Sequence, residues 1–266
     1  MNYLHIKGIV LRNFFLTRKS PHRVAGLFYL ITLELVAWGF VTFWIQDIAE
    51  TDLKVNFVLT LLGALIFWHM FYEGQQGISV AFLEDIWARN VINVFSSPVK
   101  LSEFVVALSI VSVINAIIGT LFISCLAFIF YGLEIWSFGF YIVPLFVNVL
   151  VFGWALGFVS MGLILRFGPS FEVLVWSIPA IFMPLSAVFY PVSVLPEFFA
   201  KVAYFLPTMH VFEGMRSVIL NSSFPMENIV MATLLNIFYF ILSIFILYLL
   251  VRSARNKGAL SRLVVE

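Results

Sequence analysis

Three ionisable residues stand where an ordinary apolar helix carries none. Glu34 lies midway through the apolar run 25–45, His69 lies near the end of the run 55–72, and Glu73 follows His69 by four residues. A four-residue spacing puts His69 and Glu73 on one helical face, where they can bond to each other or to the span of Glu34, or can serve as pathway or gating residues. Ionisable groups at bilayer depth cost about 2.5–3.5 kcal/mol each on insertion scales, so each needs either a function or a buried partner, and both readings stay open here. No HExxH, CxxC or paired-carboxylate pattern accompanies them, and no GxxxxGK[ST] segment offers a phosphate cradle. Neither metal, cofactor nor enzyme chemistry is expected.

The elements that must position these residues are membrane spans. Of 266 residues, 62% are hydrophobic and 11% charged, against roughly 25% charged in soluble domains, and mean hydropathy is +1.06. The lipid bilayer is therefore the expected solvent. A net charge of +1 supplies no basic face for nucleic acid. The single cysteine, Cys125, lies inside an apolar run and reads as a small buried residue. Run 25–45 is too long for the core of a signal peptide and contains Glu34, so it reads as a retained first span.

A hydrocarbon core about 30 Å thick needs about 20 apolar residues in a helix. The runs 25–45, 55–72, 104–131, 138–165, 171–190 and 229–251 meet that need. Six spans leave both termini on one side, and twelve of the fifteen Lys and Arg residues fall in the segments of that side, against Lys54, Lys201 and Arg216 on the other. The positive-inside rule makes it the cytoplasmic side of a multi-pass cell-membrane protein. Three parts result: an interfacial segment 1–24, a membrane domain 25–252 and a basic tail 253–266. In the first part Tyr3, Ile6, Val10 and Phe14 form an apolar stripe, with His5 and Arg12 falling away from it.

Two connecting segments are unusual. Segment 184–216 is apolar, yet it holds Pro184, Pro191, Pro196 and Pro207. Pro191 and Pro196 force a turn near 190–195, after which two short helical pieces follow, the second bearing Glu213 and Arg216 at ion-pair spacing. Bent backbone at membrane depth survives only when protein or a water-filled cavity surrounds it, so a re-entrant helical hairpin on the extracytoplasmic side is expected. Segment 73–100 holds Phe82, Glu84, Asp85, Trp87, Arg89 and Asn90 in a short amphipathic helix. There Asp85 and Arg89 are spaced as partners, Ser97 and Pro98 restart a helix, and an exposed aromatic suggests protein docking. Within the spans, Asn115 and Asn148 are expected to bond between helices, Gly153 and Gly157 to allow close approach, and Pro179 to free a backbone carbonyl.

The segments FLEDIWARNVINVFSSPVKLSEF and SAVFYPVSVLPEFFAKVAYFLPTMHVFEGMR, with the weaker LFYLITLELVAWGFVTFWI, resemble the membrane subunits of ABC-2 type transporters, the permease family of nodulation-factor, drug and surface-polysaccharide exporters. The resemblance covers nearly the whole chain. It implies an all-α membrane protein of six transmembrane helices, with an N-terminal interfacial amphipathic helix, a cytoplasmic coupling helix and extracytoplasmic re-entrant helices before the last span. It further implies a dimeric pathway, homodimeric or with a similar chain, for an amphiphilic substrate such as a drug-like lipophile, a lipid or a lipid-linked saccharide. A separate ATP-binding ABC subunit would drive it. The coupling helix maps to about 81–93, through Phe82, Glu84, Asp85, Trp87, Arg89 and Asn90. The outer gate maps to about 194–220, with Tyr190, Pro191, Pro196, Pro207, Glu213 and Arg216, while Glu34, His69 and Glu73 become pathway candidates. One departure stands out: the family commonly has Ser-Gly where this chain has Ser186 and Ala187. An ATPase-independent channel or secondary carrier is the alternative, and it would favour interrupted helices in both halves of the chain.

Overall fold

A computed structural model describes residues 1–48, 51–221 and 224–256, and among them it contains helices and no strand. In chain order the α-helices are α1 (Tyr3–Lys19), α2 (Pro21–Ile48), α3 (Thr51–Trp87), α4 (Val91–Ser96), α5 (Leu101–Tyr131), α6 (Ile142–Phe167), α7 (Val173–Leu185), α8 (Glu197–Ala203), α9 (Pro207–Asn221) and α10 (Met226–Asn256). Local chemistry explains several of the boundaries. The Lys100 backbone N–H donates to Glu103 Oε2 at 3.0 Å to start α5, Gly132 ends it in the left-handed region at φ +68°, and Pro207 opens α9 where a missing N–H is harmless.

Among the described residues, four helices are long and apolar enough to cross a membrane: Val24–Trp44, Leu101–Tyr131, Gly139–Phe167 and Met226–Asn256. They account for four of the six expected runs. The run 55–72 belongs to α3, whose 37 residues extend roughly 55 Å at the helical rise. The run 171–190 does not form one span-length helix, because α7 has only 13 residues, roughly 20 Å. The chain turns at Ser186 and Ala187, before the expected 190–195, because Ser186 caps α7 and Ala187 adopts φ +50°.

The segment after the run 55–72 also departs from expectation. No loop begins at Glu73; α3 continues to Trp87, and residues 81–93 are not one helix but the end of α3, a break at 88–90 and the short α4. The helix persists because its polar residues Gln75, Gln76 and Ser79 are buried against neighbouring helices rather than hydrated. Ser97 closes α4, donating from Oγ to the Val94 carbonyl at 2.6 Å, so the next helix begins at Leu101 and not at Pro98.

Helices α3, α6 and α10 form the centre, with α5 against α3. At the crossing of α3 and α6, a Cβ on Gly153 would lie 2.6 Å from the Phe71 carbonyl oxygen, so only glycine fits. That crossing is the close approach expected of Gly153. Asn148 Oδ1 accepts from Asn236 Nδ2 at 2.8 Å, joining α6 to α10 as expected; Asn115 makes no such bond among the described residues. Cys125 is exposed on α5, not buried. Ile114, Ile118 and Leu121 share its exposure, because the outer side of a span is apolar toward lipid as well as toward core.

Helix α1 packs through Ile6, Ile9, Val10 and Asn13, leaving Tyr3 and Phe14 of the expected stripe exposed. His5 and Arg12 turn inward instead. His5 Nδ1 meets Glu103 Oε2 at 2.8 Å, and Arg12 Nη2 donates to Asp85 Oδ2 at 2.8 Å. Acids at the start of α5 and the end of α3 thus overrule the apolar periodicity, since leaving those carboxylates buried alone costs more than exposing two rings. The C-terminal end of α10 lies at the same end of the bundle, where Arg166 Nε donates to Ser253 Oγ at 2.7 Å.

Candidate functional site

Glu34, His69 and Glu73 converge. They line one cavity of about 240 Å³ between α2, α3 and α7, together with Trp68, Tyr72, Trp176 and Pro179. Helix α3 supplies His69 and Glu73 from adjacent turns, as their spacing requires, and α2 crosses at Glu34. His69 and Glu73 are buried, while Glu34 is exposed at the cavity's edge. His69 and Glu73 do not bond to each other, and no hydrogen bond joins the three carboxyl and imidazole groups among the described residues. His69 Nε2 has no partner and points at Gly119 of α5, where any Cβ would collide with it. Sequence reasoning missed the aromatic lining, because Trp68, Tyr72 and Trp176 look like any other rings until α7 is laid against α3.

Pro179 shapes one wall of this cavity. A proline lacks the N–H that would bond to the carbonyl four residues earlier, here Val175, and Gln76 Nε2 donates to that oxygen at 2.8 Å. The carbonyl that the sequence predicted would be freed is thus held by α3. Gln76 itself carried only a weak signal, as one of two adjacent glutamines in a long helix.

The 184–216 turn is held by a network of hydrogen bonds. Glu213 and Arg216 form the expected ion pair on α9, Nη2 to Oε1 at 3.0 Å. Arg216 is 4% exposed, and it also donates to the carbonyls of Ala187 at 2.8 Å and Val188 at 3.2 Å, while Glu213 Oε1 accepts the Val192 N–H at 2.7 Å. Ser186 Oγ and Thr208 Oγ1 lie 2.6 Å apart, and the Tyr190 hydroxyl donates to the Pro184 carbonyl at 2.8 Å. Pro191 and Pro196 precede the short helices of the turn, and Pro207 begins α9. All six residues singled out by sequence belong to this one unit or its flanks. The carbonyl targets of Arg216 were not readable in advance, being made by backbone.

At the opposite end, the six residues 82–90 divide. Phe82 and Asp85 are buried, and Asp85 accepts from Arg12 and from Asn90 Nδ2 at 3.1 Å, not from Arg89. Arg89 lies beyond the helix end at φ +54°, which removes it from the four-residue partnership. Trp87 is 55% exposed, with Nε1 donating to Glu172 Oε2 at 3.2 Å. Glu84 is partly buried. Exposed Trp87 and Arg89 therefore form the presented edge, and Phe82 and Asp85 support it from behind.

No curated protein matches the chain. A sequence model described as ABC-2 type transporter matches residues 6–220, a stretch that contains the cavity, the 82–90 edge and the clamped turn. With apolar helices crossing the bilayer, an unsatisfied polar cavity between them and that match over most of its length, the chain belongs to the ABC-2 type transporter family.

Proposed function

We propose that the chain is the permease subunit of an ABC-2 type exporter, that two copies form the pathway, and that the cavity holding Glu34, His69 and Glu73 is part of it. Members of the family generally work with an ATP-binding subunit. The observation that carries the reading is the cavity itself. Polar groups that only fixed packing would be bonded to one another, whereas here two carboxylates and an imidazole share a space walled by aromatic rings without a bond between them. Glu34 supports the dimer. An exposed carboxylate midway along a span is costly against hydrocarbon, so the side of α2 that bears it faces a second permease chain and the water-lined path between them.

In this reading α3 supplies the second of six crossings, α7 together with the turn that follows it supplies the fifth, both termini are cytoplasmic, and the 184–216 turn closes the outer end. Rings beside carboxylates suit an amphiphilic cargo, a drug-like lipophile, lipid or lipid-linked saccharide, because its apolar part stacks on the rings while its polar part meets the acids. The ATP-binding subunit docks on the edge of Trp87 and Arg89, and nucleotide binding there shifts the pair of permeases between accessible states.

Co-purification of the chain with its ATP-binding subunit, followed by reconstitution in vesicles, tests this reading. ATP-dependent movement of a lipophilic probe is expected, and Trp87→Ala with Arg89→Glu is expected to cut stimulated ATP turnover at least tenfold while leaving the permease folded. Transport by the chain alone, without any ATP-binding partner, overturns it and favours a channel or secondary carrier.

A further inference from the structure

Away from the residues of the polar cavity, α5 and α10 stand apart over α6. The groove between them has a volume of about 660 Å³ and is floored by Trp154 and Phe158 of α6. Apart from Ser102 and Ser109 its lining is apolar or aromatic, and Ile110, Ile244 and Tyr248 are exposed along it. It follows α5 from Val113 to Leu101, roughly 18 Å by helical rise, close to one leaflet of a core about 30 Å thick.

The end of the groove changes character. Leu101 and Tyr248 also line a second cavity of about 560 Å³, whose other residues include Lys100, Arg252 and Arg255 and no carboxylate. None of these three cations takes part in an ion pair among the described residues. They come from two elements, the start of α5 and the end of α10, and meet at one mouth. Tyr248, with an apolar ring and a hydroxyl, sits on the boundary between groove and mouth, the position aromatic residues take at the edge of the hydrocarbon. An apolar slot one leaflet deep that ends in three cations without an ion-pair partner among the described residues is complementary to a single molecule type: an acyl chain joined to an anionic headgroup.

We propose that this groove is a binding site for an anionic phospholipid of the leaflet at which α5 begins and α10 ends. One chain lies between α5 and α10 on Trp154 and Phe158, and the phosphate is held by Lys100, Arg252 and Arg255. The lipid joins the two helices where protein leaves them apart. The site shares no residue with the Glu34 cavity and does not depend on what that cavity carries.

Native mass spectrometry of the full chain, released from micelles doped with phosphatidylglycerol or with phosphatidylcholine of the same chains, tests the site. Each basic residue near an anionic surface is worth roughly fivefold in affinity. The wild type is expected to retain phosphatidylglycerol selectively, and Lys100→Gln with Arg252→Gln and Arg255→Gln to lose about a hundredfold. Val106→Trp, which fills the groove and leaves the cations in place, is expected to lose retention as well. Should the triple variant not elute as folded protein, Arg255→Gln alone carries the test, with an expected loss of about fivefold. Equal retention of the two lipids overturns the proposal, as does undiminished phosphatidylglycerol on the cation variant. Retention by Val106→Trp, or displacement by soluble glycerol phosphate, would reduce it to a phosphate site and also overturn it.

Discussion

Two of the places where this molecule buries ionisable side chains treat them in opposite ways. In the 184–216 turn, Arg216 and Glu213 are bonded to each other and to the backbone at Ala187, Val188 and Val192. In the cavity between α2, α3 and α7, Glu34, His69 and Glu73 are brought together and not bonded to one another. Similar chemistry therefore has two uses. Where donors and acceptors are matched, buried charge fixes a bent backbone; where they are left unmatched around a space, the unmet capacity is available to something that enters it.

The largest effect is expected at the bonded end. Arg216→Met leaves Glu213 without its cation and two carbonyls without their donor, and breaking a buried pair of this kind costs about 3–5 kcal/mol. Thermal unfolding of the purified protein in detergent checks this, and a Tm within a degree of wild type would show that the turn is not held by the clamp. Gln76→Leu strands the Val175 carbonyl beside Pro179 and is expected to cost about 1–3 kcal/mol, read in the same melt. An unchanged melt would mean that the α3 to α7 contact does not depend on that bond.

Glu73→Gln should behave in the reverse manner, because it removes a charge that no hydrogen bond uses. Thermal stability is expected to stay at the wild-type value or rise, while transport falls about tenfold, the equivalent of 1.36 kcal/mol in the barrier. A variant that transports normally but melts early would turn the cavity into another packing site and erase the contrast. The smallest effect belongs to Ala187→Gly. At φ +50° an alanine sits where its Cβ crowds the following carbonyl, so glycine is expected to stabilise the turn by about 1 kcal/mol. Loss of stability would show that Cβ packing outweighs the strain.

That alanine shows how much was legible beforehand. The departure from Ser-Gly was visible in the sequence, and the structure places Ala187 in the left-handed region that favours glycine. The three midspan ionisable residues were equally visible, since each interrupts an apolar run. Their distances from one another were not, because they depend on how α2 and α7 cross α3. The ion pair on α9 was legible from a spacing of three within one helix. The pairs His5 with Glu103 and Arg12 with Asp85 were not, because their partners are separated by 98 and 73 positions along the chain. There the apolar stripe pointed the wrong way, since periodicity reports what a helix shows to its surroundings and not which carboxylates await it.

Sequence alone determined that this chain lives in a membrane, which runs are apolar enough to enter it, where prolines forbid a continuous helix and which residues are too polar to be there without reason. These are local properties, set by side-chain transfer energies and by backbone that either has or lacks an N–H. Tertiary structure decided that α3 runs on through its polar stretch, that α7 stops short, that Arg216 holds the carbonyls of another element, and that Glu34, His69 and Glu73 face one space. Each of those outcomes depends on atoms far apart in the chain, and only the packing of helix against helix brings them within reach.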